Sequence, residues 1–394
     1  MSLKEALFLA YNYNPKMEEA RKEIDALKGR RITEGAFKGP EVTFEIGGFK
    51  SEVVDGEKIS PRKNLDSFEV IQPFDPPGVV FLKERIAHAE VKIGEGAFLR
   101  TWAGISKEVR SAFAGVLYSE EALNVFKSNL DAARQFRDRV EVKYQSSDAS
   151  KSESLRASIE VLKAEEEFLE AEKESFTQKA KLNLLLARPF DSPLQLEGVL
   201  SYESADIRHK EILDEAISAR SDLLNQKIRV DASEKAYLKS KLSFLPEPFV
   251  GFSRTREEFE NDYSVILGAR LPLWDFNVGE MKEKKALLEK EKIKLQALGL
   301  EIQDEIYRVT REVELAERRV KIQKKAIEEA NELLREVTLQ YEEGDVNFLV
   351  YLENLKVVKE TRLSYFRSLK NYSEKLAELE EALQSAPRPE EEKK

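Results

Sequence analysis

Few residues in this chain are suited to building a reaction centre. Its only imidazoles are His88 and His209, and there is no Cys among 394 residues. Without thiolates, and with two isolated histidines, a metal site would have to be almost wholly carboxylate, which disfavours zinc. Carboxylates are abundant, as in Glu165-Glu166-Glu167. On densely charged helices such runs read as solvated faces, and no acid, base and nucleophile stand out together. Gly94-Glu95-Gly96 is not a phosphate loop: no Gly-Lys-Ser/Thr follows, and it falls inside a helical pattern. Trp102 and Trp274 read as packing residues, with a lipid interface as the alternative for Trp274 at a strand exit. The expectation is therefore neither an enzyme nor a cofactor protein. What has distinct local chemistry is a pair of chain reversals, Ser147-Asp148 and Gly344-Asp345-Val346. There Gly344 permits the left-handed backbone that a tight helix–helix turn requires.

The elements around those reversals follow from composition. Lys and Arg number 64 against 74 Asp and Glu, giving a net charge of -10; charged residues make up 35% and hydrophobic ones 41%, with 17 Gly and 13 Pro. That mixture is too apolar for disorder and typical of long helices. An acidic chain without a basic run is a poor nucleic-acid binder. No run of 18 apolar residues is present, so no transmembrane helix is expected, although a transmembrane β-barrel leaves only a faint sequence signal. The start, Met1-Ser2-Leu3-Lys4-Glu5-Ala6, passes directly into a helical pattern, without the charged and apolar regions of a signal peptide.

The chain also repeats itself. Ile302, Ile306, Val309, Val313, Ala316, Val320, Gln323, Ile327, Ala330, Leu334, Val337 and Tyr341 alternate spacings of four and three. Shifted by 197, the register returns from Ile105 and Val109 through Leu130 and Ala133 to Val140 and Tyr144, with Ser119 and Arg137 as polar departures. A sustained period of 3.5 is a coiled-coil seam. Gly39-Pro40-Glu41 corresponds to Leu245-Pro246-Glu247, and Gln72-Pro73-Phe74-Asp75 to Leu271-Pro272-Leu273-Trp274-Asp275. Each repeat thus reads helix, strand, strand, long helix, tight turn, long helix. Repeat one covers 1–187, with helices about 3–35, 79–144 and 149–187, strands at 41–49 and 66–73, and a tip turn at 145–150. A linker spans 188–211. Repeat two covers 212–384, with helices about 212–243, 277–341 and 347–384, strands at 248–255 and 262–271, and a tip turn at 342–347. The tail 385–394 reads as disordered. The segments between paired strands, Lys50–Lys58 and Arg254–Asp262, are strongly polar loops.

A helix of about 65 residues is ~98 Å long, so two such hairpins must lie side by side as a wall. Four short strands leave two bare sheet edges, which invite pairing in water and are forbidden in lipid. Closure by oligomerisation answers both. This order, doubled, resembles the TolC-like outer-membrane efflux proteins. The likeness covers residues 2–384. It rests on Ser2–Leu7 with Asn14-Pro15, on the two strand exits, and on Tyr341-Glu342-Glu343-Gly344 with Leu349–Leu352. The fold class expected is mainly α with a small β part: a trimeric α-barrel continuous with a 12-stranded β-barrel, four strands per protomer.

The resemblance implies an outer-membrane exit duct of tripartite efflux or type I secretion machinery. Its partners would be two further copies, a periplasmic adaptor, an inner-membrane transporter and outer-membrane lipid. It further implies that Ser147, Asp148, Gly344, Asp345 and Val346 dock the adaptor. Glu153, Val350 and Glu353 would fall at a pore constriction, with Val350 apolar where the family often has an acid. In Ser147 the first turn departs from the family glycine. The competing readings are a periplasmic adaptor, against which two tandem hairpins argue, and a soluble coiled-coil scaffold.

Overall fold

Long helices separated by two β segments make up the chain, whose computed structural model describes residues 1–49, 52–54, 57–59, 62–204, 209–257, 260–271 and 277–385. The first half runs α1 (Leu3–Tyr13), α2 (Pro15–Glu34), β1 (Glu41–Phe49), β2 (Glu52–Val54), β3 (Glu57–Ile59), β4 (Arg62–Pro73), α3 (Val79–Gln145) and α4 (Lys151–Leu185). The second half runs α5 (His209–Ala219), α6 (Ser221–Leu242), β5 (Glu247–Glu257), β6 (Glu260–Arg270), α7 (Val278–Glu343) and α8 (Phe348–Leu383). None of the described helices is long and apolar enough to cross a membrane.

Three differences from expectation have local causes. The helix expected over 3–35 is broken at Asn14, which caps α1 in an extended conformation. Pro15 brings no N–H to continue α1, and it starts α2 as a first-turn proline. The Asn14 amide donates to the Leu185 carbonyl at 2.8 Å, while its Oδ1 accepts from the Lys16 N–H at 3.0 Å. The helix expected over 212–243 is likewise two, separated at Arg220. That guanidinium is buried and donates to Glu305 at 2.6 Å and to the Ala382 carbonyl at 3.0 Å. The polar segment expected as a loop at 50–58 contains the short antiparallel pair β2–β3. The strand exit Pro272–Phe276 with Trp274, the tail from 386, and parts of both inter-strand loops lie outside the described residues.

The chain divides into two compact units, and each draws on both repeats. Unit one comprises Met1–Arg21, Ala97–Ser221 and Gly299–Lys394; unit two comprises Lys22–Gly96 and Asp222–Leu298. In unit one the coiled-coil seams are buried: Ile105, Val109, Ala112, Val116, Leu130, Ala133 and Val140 on α3, and Ile302, Ile306, Val309, Val313, Ala316 and Val320 on α7. The polar departures are satisfied locally. The Ser119 hydroxyl donates to the Val116 carbonyl at 2.8 Å, and Arg137 bonds Asp138. Around Trp102, Met17 and Leu182, α1 and α4 pack on α3, with Tyr11 edge-on to Trp102 at 5.0 Å. A second cluster joins α7 and α8 through Val313, Val320, Leu369 and Tyr372, and the segment at 200–204 lies on it. That segment is held by Glu317, which accepts from the Tyr202 hydroxyl at 2.6 Å and the Ser204 hydroxyl at 2.7 Å. These bonds, with Lys321, hold its carboxyl down at about 2 against the cost of burial.

Unit two contains a four-stranded antiparallel sheet in the order β1-β4-β5-β6. The two hairpins are joined through β4 and β5, with Gln72 opposite Val250 and Phe68 opposite Arg254. At its helix-proximal end Asp75 is almost wholly buried between Lys83 at 2.8 Å and Lys38 at 3.3 Å, and Lys38 also reaches Glu247 at 3.0 Å. Burial pushes the Asp75 carboxyl up, but its two lysines outweigh that and leave it lowered. Burial opposes the charge on Lys38 as well, yet Glu247 and Asp75 raise it above the ordinary lysine range.

Candidate functional site

Two candidate surfaces stand out, the sheet and the hairpin tips. Across the sheet, residues in register share a face. One row is Val42, Val70, Phe252 and Val265; the next is Phe44, Phe68, Arg254 and Tyr263; a third joins Gln72, Val250 and Leu267. Phe44 and Phe68 pack at 4.9 Å between ring centroids, and Phe252 and Tyr263 at 6.2 Å. The apolar side chains of this face lie open at the edges: Phe44 is 68% exposed, Val265 71% and Leu267 75%. The opposite face carries Thr43, Glu69, Ser253 and Ser264 in one row and Glu45, Ser67, Thr255 and Asp262 in the next. Ser253 and Ser264 are 3.1 Å apart, and the Ser67 hydroxyl donates to Glu45 at 3.4 Å. The first face is thus the more apolar, though it includes Arg254 and Gln72. The second is polar in these rows but carries Ile71 and Ile266 in the row that begins at Glu41, a partial form of the alternation of a strand wall between lipid and water.

The ends of the sheet are open. Among the described residues, β1 pairs only with β4 and β6 only with β5. Each of the three pairings is antiparallel, so β1 and β6 run in opposite directions. The free edge of one copy can therefore continue antiparallel onto the free edge of another. A glycine marks the polar face: a Cβ at Gly268 would come within 2.2 Å of the Phe249 ring, so that ring lies directly over the glycine on β6.

The tips share one backbone. At the first, Ser147 has φ +67, and the N–H groups of Asp148 and Ala149 donate to the Lys143 carbonyl at 2.8 and 3.1 Å. At the second, Gly344 has φ +86, and Asp345 and Val346 donate to the Gln340 carbonyl at 2.8 and 3.4 Å. These are the same bonds shifted by 197, and they satisfy the last carbonyls of α3 and α7. Ser147, Asp148, Gly344 and Asp345 are exposed and Val346 is half-buried. The Asp148 carboxylate accepts from the Ser146 hydroxyl at 2.9 Å.

The three residues expected at a constriction differ. Glu153 closes a capping box on α4. Its carboxylate accepts from the Ser150 N–H at 2.7 Å and the Ser150 hydroxyl at 3.0 Å, and the Ser150 side chain accepts from the Glu153 N–H. The Ser150 backbone bond, then the hydroxyl bond, hold the Glu153 carboxyl below its ordinary range. Its counterpart Val350 has no side chain with which to reciprocate. Asn347 caps α8 alone, accepting from the Val350 N–H at 3.1 Å. Val350 and Glu353 are exposed on successive turns of α8.

Sequence reasoning missed two signals. Ser150-x-x-Glu153 is itself a capping-box pattern. Leu155, Leu162, Leu169 and Phe176 recur every seven residues on α4, and each is more than half exposed. On α7, Leu300, Tyr307, Leu315 and Ile322 form a similar exposed stripe. Among the described residues no group of three or more His, Asp or Glu side chains is placed to hold a metal.

No protein-family model matches the sequence, and no curated protein matches it. Solved structures do match in fold. The CmeC outer membrane channel of Campylobacter jejuni aligns with a TM-score of 0.84 at 12% identity, over 99% of this chain and 88% of its own. The outer membrane protein VceC of Vibrio cholerae aligns with a TM-score of 0.78 at 15% identity, over 97% and 96%. The open state of the MtrE outer membrane channel of Neisseria gonorrhoeae gives 0.79 at 14% identity, over 97% and 88%. Over 97–99% of its length, then, this chain has the fold of the TolC-like outer-membrane channels.

Proposed function

We propose that the chain is one protomer of a trimeric outer-membrane channel for efflux, the exit duct of a tripartite or type I export system. The observation that carries this is the open sheet, more apolar on one exposed face than on the other, with two antiparallel free edges. Unpaired strand edges in lipid cost several kcal/mol per group, so the sheet is complete only when copies close it. Three copies give a closed barrel of twelve strands, with Thr43, Glu69, Ser253 and Ser264 lining the water path. The same closure gives the exposed apolar stripes of α4 and α7 a neighbour. The resulting helical tunnel projects into the periplasm.

Transport through such a duct is passive. The protein supplies a wetted path, and energy comes from an inner-membrane transporter joined by a periplasmic adaptor. The tips Ser147-Asp148 and Gly344-Asp345-Val346 dock that adaptor. Glu353, one turn from Val350 and repeated three times about the axis, concentrates negative field and favours cations. Glu153, tied into its capping box, sets the position of α4 beside that ring. Opening is a shift of one hairpin against the next.

The absence of native Cys makes the edge contact directly testable. Cysteines placed at Thr43 or Glu45 on β1 and at Ser264 or Asp262 on β6 are expected to give a covalent three-chain ladder on oxidation in membranes. If no such pair links beyond intramolecular products, the reading fails.

A further inference from the structure

Four helix ends meet the sheet at the same end: α2 and α6 lead into β1 and β5, and β4 and β6 lead out to α3 and α7. The two turns of helix nearest the sheet at these four places hold nine Lys and Arg against four Glu, in a chain whose net charge is -10. Some of these cations are committed. Lys83 bonds Asp75, Arg31 bonds Glu84 at 2.6 Å, and Arg30 approaches Glu90 at 3.3 Å. Lys28, Arg85, Lys239, Lys241 and Lys282 have no carboxylate partner among the described residues.

Helix dipoles account for only part of this pattern. Cations are favourable at the last turns of α2 and α6, where Arg31, Lys239 and Lys241 lie. They are unfavourable at helix starts, yet α3 begins without an acid in its first turn and carries Lys83 and Arg85 close behind. Lys83 is drawn there by Asp75, whereas Arg85 has no such carboxylate among the described residues, and α7 sets Glu280 in its first turn ahead of Lys282.

Apolar side chains share the zone. Ile32 is 76% exposed, Phe37 73%, Phe81 58% and Phe244 53%. Phe37 and Phe244 stand just ahead of β1 and β5, in matching places of the two repeats. The Arg85 guanidinium lies 4.7 Å over the Phe81 ring, and the Lys241 ammonium 4.2 Å over Tyr237. Lys28, Arg31, Ile32, Gly35 and Glu84 line an open groove of about 470 Å³. Cations interleaved with exposed aromatic rings, directly beyond the apolar face of a strand wall, are what a headgroup layer recognises. The rings enter the acyl boundary and the ammonium and guanidinium groups meet phosphate.

We infer that this collar is a binding site for anionic phospholipid headgroups of the leaflet adjoining the helices, with Lys28, Arg85, Lys239, Lys241 and Lys282 as the phosphate-facing cations and Phe37, Phe81 and Phe244 as the apolar anchors. The site rests on the outer-membrane reading and extends it, since it fixes the depth of the barrel and selects its lipid.

The test compares the intact protein with a variant carrying Gln at those five cationic positions, reconstituted into vesicles of phosphatidylcholine alone or with phosphatidylglycerol. Insertion is read by flotation and lipid selection by native mass spectrometry of retained lipid. The unaltered protein is expected to insert into both vesicles and to retain phosphatidylglycerol over phosphatidylcholine by roughly tenfold. The variant is expected to insert equally and to lose that preference. Inorganic phosphate, which lacks the acyl anchor, is expected not to displace the lipid. Insertion without lipid preference, an unchanged preference in the variant, or displacement by inorganic phosphate overturns the lipid site and leaves the channel reading intact. Failure to insert into either vesicle overturns both.

Discussion

At one hairpin tip a serine occupies a left-handed backbone position, and a serine–glutamate capping box starts the next helix. At the other a glycine occupies the equivalent position, and an asparagine caps the helix unaided. The backbone bonds are the same at both. Turn geometry is therefore fixed by the need to satisfy the last carbonyls of each long helix, and it tolerates either residue at a modest strain cost. The surroundings differ more. Tyr144 is exposed, whereas its counterpart Tyr341 stacks on Tyr351 at 4.7 Å and meets Phe136 at 6.0 Å, joining the second hairpin to the first. Burial there raises the Tyr341 phenol above its ordinary range. The two tips are alike as folds and unlike as surfaces, so a partner can distinguish them.

The largest break in that comparison is expected from Tyr341→Ala. Loss of a half-buried ring with two aromatic neighbours should cost about 2 kcal/mol, whereas Tyr144→Ala should cost only about 0.3 kcal/mol. Hydrogen exchange of segments 330–352 and 136–148 measures both. Next comes the turn residue itself. Nothing crowds a Cβ at Gly344, so Gly344→Ala tests backbone strain alone and should cost about 1 kcal/mol; Ser147→Gly should gain about as much. Equal and opposite shifts in local exchange would confirm that one strained conformation is shared.

The caps come third. Ser150→Ala should destabilise the start of α4 by about 1 kcal/mol. Val350→Glu should supply the missing reciprocal partner at the second tip and gain about 0.3 kcal/mol. The smallest difference is in pH response. The Glu153 carboxyl is lowered by its Ser150 bonds, so its contribution is fully present above the ordinary glutamate range. It is lost as the pH falls through the lowered value. Asn347 does not titrate. Exchange near 150–154, corrected for intrinsic rate, should therefore speed up on acidification relative to 347–351.

The helical part of this architecture was legible because its signal is periodic and long. The four-and-three spacing from Ile302 to Val337 marks residues that are buried or half-buried. The sheet was harder to read. Strand positions were visible, but the central pairing of β4 with β5 joins segments from different repeats, and no local residue announces that Gln72 faces Val250. On β6, Ile266 among the polar positions blurs the alternation. Only the neighbours Val42, Phe252 and Val250 reveal Val265 and Leu267 as one continuous apolar face. The break at Asn14-Pro15 was written in the residues, but the run of apolar positions on either side masked it. Glu153 is a different case. Its position three residues after Ser150 makes a capping pattern plain in the sequence, and that pattern determines what its carboxylate bonds.

On the proposed reading, a single copy leaves its sheet edges and helix stripes uncovered, and three copies close them. The mass of the detergent-extracted protein, read by native mass spectrometry or light scattering with the detergent subtracted, tests this most directly. One species at three times the chain mass, persisting on dilution, is the predicted result. A stable single chain at the same detergent concentration would contradict it.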